Sequence, residues 1–109
     1  MLYFQIMPDQ KNQPILILSV ASTLLNLHPR TLMFYEKEGL IKPYRTETNR
    51  RLFSQSDLAR LQFVKYLTEK QRINTSGVRI ILKILEKANK TLPNLRDELF
   101  PDFEEKQLI

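Results

Sequence analysis

A mainly α-helical domain with one small basic β-hairpin, two short helices before the hairpin and two longer ones after it, is the fold class this chain predicts. Three observations carry that prediction. Pro29 and Gly39 bracket a helix-length stretch, since proline tolerates a first helical turn and glycine a left-handed C-cap. Two extended stretches, residues 41–45 and 50–53, flank the polar run Thr46-Glu47-Thr48-Asn49 and read as a hairpin. Ser54 and Asp57 have the spacing of a capping box just ahead of an apolar stripe.

In chain order, residues 1–14 are polar, hold Pro8 and Pro14 and show no period, so they are expected to form a loose arm. Ile15 to Leu18 is a short apolar run expected to pack in extended form. Ser19 is the expected N-cap of a first helix, Val20 to Leu25, with Val20, Leu24 and Leu27 at helical intervals. Asn26 tolerates the positive φ that a tight turn between helices needs, so Leu25-Asn26-Leu27 leads into a second helix from Pro29 to Glu38. On that helix Leu32, Tyr35 and Glu36 share one side, while Arg30, Phe34 and Lys37 share the other, flanked by Thr31 and Met33. The first set is for the core, and the second presents two cations and an aromatic ring to solvent.

Beyond the hairpin, a third helix is predicted from about Gln55 to Lys70, burying Leu58, Leu61, Val64 and Leu67. Asn74 caps a fourth, reaching about Asn89, with Ile73 and Val78 placed to close a hydrophobic staple. Val78, Ile81, Leu82 and Leu85 make its core face. Ile80 and Ile84 fall away from that face, which leaves two readings: a second contact surface, or a helix wrapped by the tail. In the tail, Pro93 and Pro101 limit any helix to about two turns, with Leu95, Leu99 and Phe103 at helical spacing. The domain division is an arm over 1–14, a folded unit over 15–90 and a short acidic tail over 91–109.

Composition excludes several functions. The chain has 109 residues, no cysteine and one histidine, so it cannot build a disulfide framework or a thiolate metal site, and no cofactor is expected. No apolar run is long enough to span a bilayer and no signal-peptide pattern opens the chain, so the expected setting is cytoplasmic, near the nucleoid, with no membrane partner. Two glycines and one histidine are thin material for an active site, and no nucleophile–base pair or phosphate-cradling loop stands out, so an enzyme is not expected. The net charge of +5 is unevenly spread: residues 60–90 carry eight basic against two acidic side chains, and residues 91–109 two against five. A helix-turn-helix followed at once by a hairpin bearing Arg45, Arg50 and Arg51 points to nucleic acid, with the second helix reading the major groove.

The order Pro-Arg-Thr-Leu helix, Gly-Leu-Ile, basic wing, Ser-x-x-Asp-Leu helix and capped fourth helix, over about Leu18 to Leu85, resembles the MerR family of bacterial transcription regulators. SVASTLLNLHPRTL, RTETNRRLFS and RINTSGVRIILKIL look most like its heat-shock repressor branch, HspR. The resemblance implies a winged helix-turn-helix that binds double-stranded DNA at an inverted repeat as a homodimer, with a stress or chaperone-gene repressor role and a chaperone co-regulator as a possible partner. It puts Arg30, Thr31, Met33, Phe34 and Lys37 of the helix, and Arg45, Arg50, Arg51 and Phe53 of the wing, at the DNA. Met33 stands where the family usually has Arg, and Phe34 where it often has Tyr, so base reading there should shift toward thymine methyl groups. The family's long dimer helix is not evident, and Ile80, Ile84, Leu92, Leu95, Leu99, Phe100 and Phe103 are the expected dimer contacts. A protein-interaction module that keeps the fold without reading DNA is the alternative.

Overall fold

Residues 10–109 are described by the structure, a computed structural model. Its elements are β1 (Leu16–Ile17), α1 (Leu18–Leu25), α2 (Pro29–Lys37), β2 (Tyr44–Arg45), β3 (Arg51–Phe53), α3 (Gln55–Glu69), α4 (Thr75–Ala88) and α5 (Leu95–Leu99). The arm expected over residues 1–14 lies outside the described residues up to residue 9. Gln10–Asn12 form a single 3₁₀ turn, and Ser56 Oγ donates to Asn12 Oδ1 at 2.6 Å.

The helix-turn-helix forms as its turn chemistry predicts. Asn26 adopts φ 53° and ψ 47°, and its N–H closes the last turn of α1. Pro29 starts α2, and Gly39 ends it at φ 77°, with Leu40 N–H donating back to Tyr35 O at 2.9 Å. The cap of α1 differs from expectation. The helix begins at Leu18 after an extended Ile17 that makes no side-chain cap, and Ser19 lies inside it, where its carbonyl accepts from Ser22 Oγ and Thr23 Oγ1. The cause is β1: strand pairing holds Ile17 extended up to the first helical residue, so the end of the strand sets the helix start.

The hairpin is a three-stranded antiparallel sheet in the order β1-β3-β2. Leu16 lies opposite Phe53, Ile17 and Tyr44 lie opposite Leu52 from either side, and Arg45 lies opposite Arg51. Side chains alternate across a sheet, so Leu16, Phe53, Arg51 and Arg45 share one face. That face looks onto the helices, and it makes Phe53, at 1% exposure, one of the largest fully buried side chains. Its expected place at the DNA is therefore corrected: Phe53 is a core residue.

The core is built where the stripes of α3 and α4 meet the helix-turn-helix. Leu25, Leu32, Tyr35, Leu40, Leu58, Leu61, Val64, Leu67, Val78 and Leu82 are buried together. Both caps after the wing form. Ser54 Oγ accepts from Asp57 N–H at 3.0 Å, and Asp57 Oδ2 from Ser54 N–H at 2.9 Å; Asn74 Oδ1 accepts from Gly77 N–H at 2.9 Å.

The tail departs most from expectation. It folds over α3 instead of over Ile80 and Ile84. Phe100 and Phe103 set their rings against Phe63 and Tyr66, with centroid distances of 5.1–6.2 Å within the cluster, and the Arg96 guanidinium sits 5.3 Å from the Phe103 ring centre. Tyr66 Oη donates to Asp102, and Gln62 pairs with both peptide groups of Lys106, at 2.7 and 2.8 Å. Phe100 and Phe103 are thus committed to their own chain, a correction to their expected dimer role. Helix α5 stops at Leu99, before Phe103, because Pro101 pushes Phe100 out of the helical region to φ −129°.

Gly77 tests the packing at the start of α4. A Cβ there would lie 2.6 Å from Ile73 Cγ2, a branched atom with little room to yield. Helix propensity alone favours alanine over glycine by about 1 kcal/mol. Overpacking costs about 1–3 kcal/mol. Gly77→Ala is expected to lower stability in urea unfolding, and a stabilised variant would show that Ile73 does not rest on Gly77.

Candidate nucleic-acid interface

Helix α2 is held from behind so that its front stays free. Leu32 and Tyr35 enter the core, and Tyr35 Oη bonds Thr68 Oγ1 at 3.1 Å. At its N-terminus His28 is the N-cap, its Nδ1 accepting the Arg30 N–H at 3.0 Å. Ordinary capping preferences do not favour histidine, so no sequence rule pointed to this role.

At and just past its other end, the carbonyls of Glu38 and Leu40 have no helical partners, and cations from the following helices reach them. Arg79 donates from Nε and Nη2 to Glu38 O at 3.0 and 2.7 Å, and Arg60 Nε donates to Leu40 O at 2.7 Å. Thr75 Oγ1 and Arg79 Nη2 also reach Glu38 Oε1, at 3.0 and 3.5 Å. Lys65 Nζ does the same for α1, on Leu25 O at 3.0 Å. Three of the eight basic residues in the 60–90 block are therefore occupied with carbonyls at or just past helix ends.

The outward side of α2 matches the helical wheel. Arg30 and Lys37 are exposed, Met33 and Phe34 are 41% and 47% exposed, and Thr31 is half-buried at the flank. This is a row of two cations, a thioether and a ring along about two turns. The expected dimer contacts divide: Ile80, Ile84, Leu92 and Leu99 stand exposed, Leu95 is half-buried, and Phe100 and Phe103 are half-buried where the tail packs on α3.

The wing meets α2 through Glu36, which sits between buried Leu32 and exposed Met33 on the wheel. Arg45 Nη2 donates to its two carboxylate oxygens at 3.2 and 3.0 Å, and Arg51 Nε donates to Oε1 at 2.6 Å. Arg45 Nη1 also donates to Asn49 O at 3.0 Å, bracing the wing turn, where Asn49 holds φ 64°. Arg50, by contrast, is exposed. Of the wing cations expected at the DNA, the structure therefore brings Arg45 and Arg51 onto the helix and leaves Arg50 outward. Sequence reasoning placed Glu36 on the core side and missed this pairing. A signal was present: two arginines across one hairpin repel unless a carboxylate comes between them.

Burial works to raise the Glu36 pKa, but the hydrogen bonds and charges of Arg51 and Arg45 outweigh it and hold the carboxyl below its ordinary value. A depressed carboxylate contributes stability above its unfolded pKa, near about 4.3, and that contribution is lost as pH falls through the folded value. Glu36→Gln should therefore be less stable than wild type by about 1–3 kcal/mol at neutral pH, with the gap closing on acidification below about pH 4. Urea unfolding of both proteins across that range checks it; a gap that does not depend on pH would mean the carboxylate is not ion-paired.

Among the described residues, no group of three or more His, Cys, Asp and Glu could hold a metal ion, and no helix is long and apolar enough to cross a membrane. Comparison with known proteins fits the geometry. The family described as MerR HTH family regulatory protein matches residues 18–84, from the first residue of α1 to within α4. A Streptomyces coelicolor protein named for heat shock, HspR, is 35% identical over 74 residues, covering 68% of this chain and 49% of that one. The HTH-type transcriptional regulators GlnR of Bacillus anthracis and Bacillus cereus are each 35% identical over 83 residues, covering 76% of this chain and 62% of theirs. The chain thus spans between about half and under two thirds of the length of these relatives. With the family match running through both helices, the wing and the two helices behind them, this chain belongs to the MerR family of DNA-binding transcription regulators.

Proposed function

We propose that this regulator is a sequence-specific repressor of stress or chaperone genes that binds an inverted-repeat operator as a homodimer. The outward row on α2 carries the reading. Arg30 and Lys37 suit phosphates and guanine edges, while Met33 and Phe34 offer apolar contact to thymine methyl groups. Arg50, exposed on the wing, is the backbone ligand in this reading. The stress assignment is supported by the heat-shock name of the Streptomyces coelicolor relative. A chaperone co-regulator and a nucleoid setting belong to the same reading.

The homodimer is supported by Ile80 and Ile84, which are 58% and 52% exposed on α4, and by exposed Leu92 and Leu99. Fully burying an aliphatic side chain is worth about 1.5–3 kcal/mol, against an association cost of about 4–15 kcal/mol. With Phe100 and Phe103 used within the chain, four such residues make a dimer of moderate strength.

Three experiments test the reading. Fluorescence anisotropy should show tighter binding to its own upstream promoter DNA than to scrambled duplex, with affinity falling steeply as salt rises; equal affinity for both duplexes would favour an interaction module. Met33→Arg should tighten binding and alter preference at one or two base pairs per half-site, and an unchanged affinity and preference would place Met33 off the DNA. Sedimentation at tens of micromolar should give a dimer that Ile80→Glu with Ile84→Glu converts to a folded monomer. A wild-type monomer there would overturn the homodimer.

A further inference from the structure

The register of the wing places two like charges directly opposite each other. Arg45 and Arg51 are cross-strand partners on one face of the sheet, a pairing that destabilises a hairpin on its own. One carboxylate, Glu36 from the recognition helix, accepts from both, and it is only about one fifth exposed. No other side chain among the described residues ion-pairs the wing to α2. Beyond the apolar anchor of Phe53 in the core, Glu36 is therefore, among the described residues, the one charged link that sets the wing against the helix.

The two arginines differ in what they have left. Arg45 uses Nη2 on Glu36 and Nη1 on the Asn49 carbonyl, so both ends of its guanidinium are engaged inside the protein. Among the described residues, the Arg51 side chain bonds only through Nε and its Nη donors have no partner. Arg50, its neighbour, is exposed.

We propose that Glu36 is a positioning residue for DNA recognition, and that Arg45 is its latch. Together they set the wing against α2 so that Arg50 and the Nη groups of Arg51 meet the backbone beside the groove that Arg30, Met33, Phe34 and Lys37 enter. Glu36 itself touches no DNA. Its negative charge opposes non-specific attraction to phosphates, while its geometry favours the one arrangement in which helix and wing engage a site at once. The proposal rests on the DNA-binding reading above, and it predicts effects of opposite sign on the two kinds of binding.

The test uses the full chain, with the best-binding duplex selected from a randomised pool and a scrambled duplex of equal length, titrated at two or more salt concentrations. Glu36→Gln, checked as folded by circular dichroism, should bind the scrambled duplex as tightly as wild type or more tightly, yet bind the selected duplex about 10-fold more weakly. Glu36→Asp keeps the charge and shortens the reach, so it should lose affinity for the selected duplex with a wild-type salt slope. Arg45→Gln should lower the preference with little change in salt slope, whereas Arg50→Ala and Arg51→Ala should each flatten it by about one unit. Parallel gains on both duplexes in Glu36→Gln would make Glu36 a charge and nothing more. Parallel losses in proportion to the unfolded fraction would make it merely structural. Either result overturns the proposal, as would an Arg45→Gln slope flattened like that of Arg50→Ala. A wild-type protein with no preference for the selected duplex would overturn the sequence-specific reading itself, which separates that failure from a failure confined to the variants.

Discussion

The outward face of α2 depends on how the chain leaves the helix, where the carbonyls of Glu38 and Leu40, at and just past its C-terminal end, have no helical partners. A helix end turned toward the protein must find donors or lose stability, because a buried carbonyl without a partner costs about 1–3 kcal/mol. Here the donors are Arg79 and Arg60, sent from α4 and α3 to Glu38 O and Leu40 O. This fixes how far α2 stands from the body of the domain and allows Leu32 and Tyr35 to pack without drawing the outward face inward. The same device closes α1, through Lys65. A basic surface that resembles a simple nucleic-acid patch in sequence therefore has two populations: cations that hold the helix-turn-helix in place, and cations that it presents.

The wing repeats this logic in electrostatic form. Its two inward arginines are tolerable only because α2 lends a carboxylate, and α2 keeps a charge on its flank only because the wing neutralises it. Helix and wing are thereby one unit. A small domain has little core with which to orient a hairpin, and a β2 of two residues packs weakly by itself. A charged pin anchored at both ends adds orientation to the apolar anchor that Phe53 gives the hairpin.

Much of this was legible from local chemistry. Pro29, Gly39 and Asn26 mark the ends and turn of the helix-turn-helix because each acts on its own backbone, and the Ser54 and Asn74 caps are legible for the same reason. The stripes of α3 and α4, and the outward position of Ile80 and Ile84, follow from periodicity alone. What escaped depends on pairings between distant segments. A two-residue β1 has no period to read, yet its pairing with β3 displaces the N-cap from Ser19 and helps bury Phe53. Glu36 sits near a boundary on the wheel, and only the angle of the wing decides which way it turns. Phe100 and Phe103 have the composition of an interface, and only the path of the tail shows that α3 is what they cover.

That path has a consequence for how the domain comes apart. Residues 100–109 contain no helix or strand and are held through side chains: the rings of Phe100 and Phe103, the Tyr66–Asp102 hydrogen bond and the Gln62 amide on Lys106. A strap of this kind opens without disturbing a single helical hydrogen bond, so its release is a local event with its own, smaller free energy. Once lifted, it bares Phe63 and Tyr66 on the flank of α3, a sticky aromatic surface on a domain whose helix-turn-helix is still intact. Cleavage within that segment would leave a folded helix-turn-helix with an adhesive back.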